Sequence, residues 1–211
     1  MPLQNRVTPY GQIVATPERG TLFGNRGGRF HDPSTRSLFK RRFVSRRWIC
    51  CELAFKGRRR TVFGQGYTEL FFLDEATALA AGHRPCFECR RADALRFRDA
   101  FARANGLPAL PLADEMDARL HSERLASRPR LVDWWQLPDG AMIGDGRDAW
   151  LIAHGLALLW SAAGYRSRLG PQNREAGELR LLTPPSIVAA LRAGFTPRLH
   201  ETATGSRLAE G

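Results

Sequence analysis

Residues 69–90 read ELFFLDEATALAAGHRPCFECR, and this stretch decides how the chain begins to fold. The apolar residues at its start predict a short strand, and the alanine-rich run after them predicts a helix. Asp74 has a side chain suited to the helix N-cap, and Gly82 suits the position at which the helix ends. Cys86 and Cys89 follow at the C-x-x-C spacing, which allows two thiolates to bind one zinc ion.

The four cysteines of the chain form two close pairs, and in a cytosolic protein this clustering favours a metal over disulfides. Cys50 and Cys51 are adjacent on a predicted strand, so one of them should face the turn of Cys86 and Cys89 while the other points away. A bulge would admit both, so all four are candidate zinc ligands. Reduced core cysteines without a metal are the alternative. Candidates for a ligand beyond the cysteines are His31, His83 and His121.

Composition excludes several classes of protein. The chain has 211 residues, of which 43% are hydrophobic and 25% charged, so it is not wholly disordered and has room for one large or two small domains. It has no apolar run near the roughly 20 residues of a membrane span. The first residues, MPLQNRVTPYGQ, lack the apolar core of a secretion signal. We therefore expect a cytoplasmic protein.

The positive charge is concentrated in one segment. Residues 26–60 contain ten arginines, both lysines and only two acids, a local balance of 12 − 2 = +10 within a total of +11. The arginine side chain donates two parallel hydrogen bonds to a phosphate and stacks on flat rings. The segment therefore predicts nucleic-acid binding, to DNA rather than RNA; a solvated basic face is the alternative. The predicted contacts are Arg26, Arg29, Arg41, Arg42, Arg46, Arg47, Arg58, Arg59 and Arg60.

A second group of polar residues suggests catalysis. Asp114, Asp117 and His121 lie roughly on one face of a predicted helix, as the ligands of a hydrolytic metal site would. The alternative is that Asp114 caps the helix and that the acids suit its dipole. His31, which follows a glycine-rich loop, is a further catalytic candidate.

The stretch from Phe71 to Arg90 resembles the core of the Ada-type zinc-binding domain, and the resemblance extends over about residues 46–95. It implies that Cys86 and Cys89 supply half of a four-cysteine zinc site in a domain that binds DNA. In that family one zinc cysteine accepts a methyl group from a backbone phosphotriester, a role that would fall to Cys50 or Cys51. The family separates its first two cysteines by three residues, whereas here they are adjacent.

The remaining patterns predict an α+β fold with a zinc-bearing hairpin–helix half followed by a small β-meander and a helix. We expect a zinc-binding half at 1–106, a linker with a short helix at 107–130, a meander subdomain at 131–200 and a disordered tail at 201–211. The predicted strands and helices are Gln12–Ala15, Thr21–Phe23, a hairpin of Arg47–Phe55 with Arg60–Phe63, helices at 90–105 and 114–126, and meander strands Ala141–Ile143, Trp150–Ala153 and Leu156–Ser161.

Together these patterns predict a zinc-containing protein that binds nucleic acid, in DNA repair or processing. One alternative is a metal-dependent phosphodiesterase or nuclease that uses Asp114, Asp117, His121 or His31. Another is a structural zinc module that binds a protein partner. If the protein is an enzyme, we expect a nuclease, a phosphodiesterase or a phosphotriester methyl acceptor. No membrane partner is expected.

Overall fold

Two sheets organise the chain in the computed structural model, which describes residues 1–126, 133–166 and 179–204. The strands are β1 (Gln4–Val7), β2 (Ile13–Ala15), β3 (Leu22–Arg26), β4 (His31–Asp32), β5 (Ser37–Leu38), β6 (Trp48–Cys51), β7 (Leu70–Phe72), β8 (Arg84–Pro85), β9 (Met142–Gly144), β10 (Ala149–Ala153), β11 (Leu156–Ser161), β12 (Gly164–Arg166) and β13 (Arg180–Leu181). The helices are α1 (Glu75–Ala80), α2 (Arg91–Ala104), α3 (Ala113–Leu125), α4 (Pro185–Arg192) and α5 (Glu201–Thr204), with a 3-10 turn at Trp134–Gln136. The α+β prediction is confirmed.

The first sheet has the strand order β2-β1-β7-β3-β6-β8. Most neighbours are antiparallel, while β1 with β7 and β6 with β8 are parallel. One face of this sheet is apolar, with Leu22, Leu70 and Phe72 packed against Ala78 and Ala81 at α1. The opposite face carries the cysteine cluster described below.

Helix α1 lies between the two sheets, which explains why it is rich in alanine. Ala78 packs toward the first sheet, whereas Ala76 and Ala80 pack toward the second. Asp74 caps the helix as predicted and accepts a 2.9 Å hydrogen bond from the Thr77 amide. Gly82 ends the helix with φ +81°, a conformation that side chains rarely adopt, and its position leaves room for the stem of an arginine from α3.

The second sheet has the order β12-β11-β10-β9-β13 and is antiparallel throughout. Strands β9 to β11 correspond to the predicted meander, and β12 extends it by one strand that was not predicted. Helices α2 and α4 cover one face, where Phe97 and Leu191 share a buried cluster with Trp150 and Ile152. That cluster also takes Met116 from α3, so residues on both sides of the expected linker build one core.

Three aromatic side chains contribute hydrogen bonds that join the first half of the chain to the second. The Tyr10 hydroxyl donates to the Asp148 carbonyl at 2.5 Å. The Trp160 indole donates to the Thr77 hydroxyl at 3.1 Å. The hydroxyl of Tyr165, a β12 residue, donates to the buried Asp74 carboxylate at 2.9 Å. The capping residue of α1 therefore also fixes the edge of the second sheet.

Three local expectations differ from the structure. The hairpin lacks its second strand, because Phe63 adopts φ +56° and stacks on the ring of His31 with centroids 4.6 Å apart. Residues 201–204, expected to be disordered, form α5, whose Ala203 is buried in the second core. Residues 205–211 lie outside the described residues. Helix α3 begins after Leu112 as its N-cap, so Asp114 lies in the first turn instead of capping it.

Candidate metal centre

Three of the four cysteines converge at one point. Strand β6 ends at Cys51, and the turn between β8 and α2 holds Cys86 and Cys89. The three sulfur atoms lie within 4.8 Å of one another. The Cys86 amide donates a 2.9 Å hydrogen bond to the Cys50 carbonyl, which fixes the turn against β6. The strand pairing therefore brings together two segments that are distant in sequence.

The surroundings of these sulfur atoms favour a thiolate at Cys86. The Glu52 amide donates to the Cys89 sulfur at 3.4 Å, and the Glu88 amide donates to the Cys86 sulfur at 3.4 Å. Hydrogen bonds from the thiols of Cys51 and Cys89 lower the pKa of Cys86 to about 2. The contacts with Cys86 and Cys89 raise the pKa of Cys51. Three thiols thus lie close enough to interact with one another. A soft or borderline metal ion binds such a group of sulfur ligands and displaces their protons.

Cys50 points to the opposite face of the sheet, although it was included among the candidate ligands. It is buried among the apolar residues next to α1, and its sulfur lies 3.6 Å from a guanidinium nitrogen of Arg90. Burial raises the pKa of this thiol. Adjacent side chains of β6 therefore point to opposite faces of the sheet, as expected, and Cys51 is the residue that faces the turn.

The histidines proposed as further ligands have other partners. The ring of His31 contacts the Thr68 hydroxyl at 2.7 Å and the Gly64 carbonyl at 2.9 Å. The buried His83 packs between Trp48 and a phenylalanine of β7. On α3, His121 packs edge-on against the ring of a phenylalanine in the 39–47 loop. Among the described residues, none of these rings joins the three cysteines.

The acidic residues of α3 do not form a common site. Asp117 is buried and accepts two hydrogen bonds from Arg84, at 2.9 and 2.7 Å. Asp114 is exposed and pairs with Arg47 at 3.3 Å. Residues three apart on a helix differ by about 60° in direction, which here separates the core from solvent. The structure therefore places the two carboxylates, and His121, in separate environments.

Arg26, predicted to contact nucleic acid, is instead buried with 2% exposure. Its guanidinium lies 3.9 Å above the Trp48 ring and donates to the Gly11 carbonyl at 2.9 Å. Burial, with the nearby charge of Arg124, lowers its pKa. The charge of the segment does not predict this burial, which arises because β3 is buried along its whole length.

Seven of the other predicted arginines form two groups at opposite ends of β6. Arg41, Arg42, Arg46 and Arg47 lie in the exposed loop before the strand, and we call them the loop arginines. Arg58 and Arg59 are exposed in the loop after it, and Arg60 is half-buried. At about 3.3 Å per residue, the ends of this four-residue strand are about 10 Å apart. The remaining arginine, Arg29, is exposed and bonds to Gln65.

A row of side chains across the first sheet leads to the cysteines. Strand pairing places Arg6 beside Phe71, Phe71 beside Phe23, and Phe23 beside Cys51. The guanidinium of Arg6 lies 4.8 Å above the Phe71 ring, and that of Arg60 lies 4.3 Å above the Phe23 ring. The sequence interpretation missed Arg6 and Phe71, because only the order of strands in the sheet reveals that they adjoin the cysteines.

Comparisons of the chain with models of protein families, with curated proteins and with solved structures found no match. In the described parts of the chain, no helix combines the length and apolar character needed to cross a membrane. The three-cysteine group also differs from the four-cysteine site that the Ada resemblance implies.

Proposed function

We propose that the protein binds zinc through Cys51, Cys86 and Cys89 and binds nucleic acid on the surface beside that centre. The convergence of the three sulfur atoms within 4.8 Å carries this proposal. Thiolates select zinc over magnesium or calcium, which prefer oxygen ligands. A zinc site with three protein ligands takes its fourth from solvent or from a bound molecule. The metal would tie β6 to the start of α2, a mainly structural task.

Arginines next to the cysteines, Arg59 exposed and Arg60 half-buried, support the nucleic-acid part. Arg59 and Arg60 follow the cysteine strand in the chain, and among the described residues neither has a carboxylate within 4.0 Å. Such charges attract phosphates, and each phosphate contact releases counterions. With about five contacts, log affinity for duplex DNA should fall against log salt with a slope of about −4 to −5.

Metal analysis and binding assays on the purified full-length chain test the two parts separately. We expect one zinc per chain by mass spectrometry or atomic absorption, and affinity for DNA that falls with salt and varies little with base sequence. A folded protein free of metal would refute the zinc part. Undetectable binding to DNA and RNA at low salt would refute the nucleic-acid part and favour a protein partner.

The proposed place in DNA repair rests on the Ada resemblance and has its own test. The protein is incubated with DNA that carries methyl phosphotriesters, and its mass is then measured by mass spectrometry. A gain of one methyl group on the peptide that contains Cys50 and Cys51 would support methyl acceptance, and no gain would leave the metal structural only. Incubation with unmodified DNA and Mg²⁺, Mn²⁺ or Zn²⁺ tests the nuclease alternative.

A further inference from the structure

Two adjoining pockets lie beside the face of the first sheet that carries the cysteines. One has a volume of about 690 Å³ and is lined by Arg36, Arg59, Arg60 and Tyr67, among others. The other has a volume of about 530 Å³, and its lining includes Arg6, Arg19, Arg36, Leu53 and Phe71. Arg36 lines both pockets and therefore lies between them, and we call the pair of pockets the arginine groove. It is defined by Arg6, Arg19, Arg36, Arg59, Arg60, Tyr67 and Phe71.

The positive charge of the groove is not neutralised locally. Within the described ranges, none of its five arginines has a carboxylate within 4.0 Å. The acid in its lining, Glu69, is buried and accepts a 3.0 Å hydrogen bond from the Phe63 amide. Burial and the positive charge of Arg19 lower the pKa of Arg6, against the opposing effect of Glu18. A concave surface lined with one sign of charge concentrates ligands of the opposite sign.

An aromatic side chain lies among these charges in each of the two pockets. Phe71 and Tyr67 line the groove and are half-buried, so part of each side chain is accessible there. Tyr67 is held by the Arg60 guanidinium, which donates to its hydroxyl at 3.1 Å. Stacking of a base on an aromatic ring is worth about 1–3 kcal/mol and does not depend on base identity.

We propose that the arginine groove binds single-stranded nucleic acid, with phosphates at its arginines and bases against Phe71 and Tyr67. This deepens the proposed function and rests on it. A single strand presents both phosphates and accessible flat bases, which matches the combination of arginines and aromatic rings in the groove. A duplex keeps its bases stacked inside and would offer only phosphates to the rim, and an acidic peptide would leave the rings without flat partners. DNA and RNA share the chemistry used here.

Two triple variants with the same loss of charge test this assignment. The groove variant replaces Arg19, Arg36 and Arg59 by glutamine, and the loop variant replaces Arg41, Arg42 and Arg46 by glutamine. All six side chains are exposed, so both variants should fold, which metal content and thermal melting check. Affinities for labelled thymidine and uridine oligonucleotides and for a blunt duplex are measured over a salt series.

We expect the wild type to bind a single strand more tightly than a duplex. The groove variant should lose at least about tenfold in single-strand affinity, and its salt slope should fall by about 2, at about 0.7 per phosphate contact. The loop variant should lose less than about threefold. Equal losses in both variants, or a larger loss in the loop variant, would overturn the groove assignment and leave nucleic-acid binding intact.

Crosslinking locates the strand directly. An oligonucleotide with iodouridine, irradiated on the wild type, should label the tryptic peptide of residues 61–90, which contains both Tyr67 and Phe71. Crosslinks confined to the loop of residues 39–47 would overturn the proposal. Competition with polyglutamate is a second check: if polyglutamate displaced the oligonucleotide at equal concentration, the proposal would also be overturned. If the wild type binds no nucleic acid, the proposed function itself is refuted. This result is distinct from the outcomes that refute only the groove assignment.

Discussion

Cys50 and Cys51 are neighbours in the chain and have opposite surroundings. The alternation of a strand could be predicted from the sequence, because the C-x-x-C turn must meet one face only. The sequence does not establish which cysteine faces the turn, since that depends on the pairing of β6 with β3 and β8. In the structure Cys51 lies opposite Phe23 and next to the turn, whereas Cys50 faces α1.

This contrast predicts different results for two adjacent substitutions. Cys51→Ala should abolish stoichiometric metal binding and lower the melting temperature, because two thiolates remain. Cys50→Ala should keep one metal per chain and cost about 1 kcal/mol, the typical loss for a small change in a core. Metal analysis with thermal melting compares the pair. Equal metal loss in both variants would contradict the assignment of Cys51 as the ligand.

A second prediction concerns the buried His83, whose neutral ring is enclosed by Trp48 and Phe72. Burial, and the charges of Arg26 and Arg124, hold its pKa well below the usual value of 6.5. Below pH 6.5 the unfolded chain therefore binds a proton that the folded chain does not. As the pH is lowered below 6.5, the free energy of unfolding should therefore fall by about 1.4 kcal/mol per pH unit. The total loss at pH 5 should be about 2 kcal/mol.

Urea denaturation between pH 7 and pH 5 measures this effect. His83→Gln removes the titrating ring, so the variant should lose about 2 kcal/mol less over this range than the wild type. Contributions from a bound metal are common to both proteins and cancel in the difference. The control is His154→Gln, at a site 68% exposed, and it should follow the wild type. Parallel curves for wild type and His83→Gln would refute the prediction.

At the scale of elements, α3 shows how tertiary packing selects among similar residues. Its helical spacing could be predicted, but which acid is buried could not, since the partner of Asp117 comes from β8. Arg84 and Asp117 are 3% and 1% exposed, whereas Arg47 and Asp114 are 61% and 62% exposed. The buried pair anchors α3 to the short strand that leads into the cysteine turn.

The two ion pairs predict unequal costs for the same chemical change. Asp117→Asn leaves the buried Arg84 without a charged partner and should destabilise the protein by about 3–5 kcal/mol. Asp114→Asn removes an exposed pair, which contributes about 0–1 kcal/mol. Denaturant titration of both variants provides the measurement. If Asp114→Asn abolished a nuclease activity without loss of stability, the catalytic role of α3 would regain support.

For the whole molecule, the main departure from the sequence pattern is the position of α1. Its cap and its end at Gly82 could be predicted from local residues, because capping depends on neighbours in the chain. Its placement between two sheets could not be predicted, since both faces of an alanine-rich helix look alike in sequence. Leu79 joins the cluster of Phe97 and Trp150, while Ala78 joins that of Phe72. The helix thus couples the sheet with the cysteines to the meander.

This coupling predicts that removal of the metal destabilises both sheets together. A ligand that binds only the folded state raises the free energy of global unfolding, and the slowest-exchanging amides report that quantity. Chelation should therefore speed hydrogen exchange equally in β3, near the cysteines, and in β10, at the centre of the meander. Cys51→Ala should show the same rates with and without chelator, which controls for effects of the chelator itself. If β10 kept its protection while β3 lost it, the two sheets would unfold separately and the shared core would not couple them.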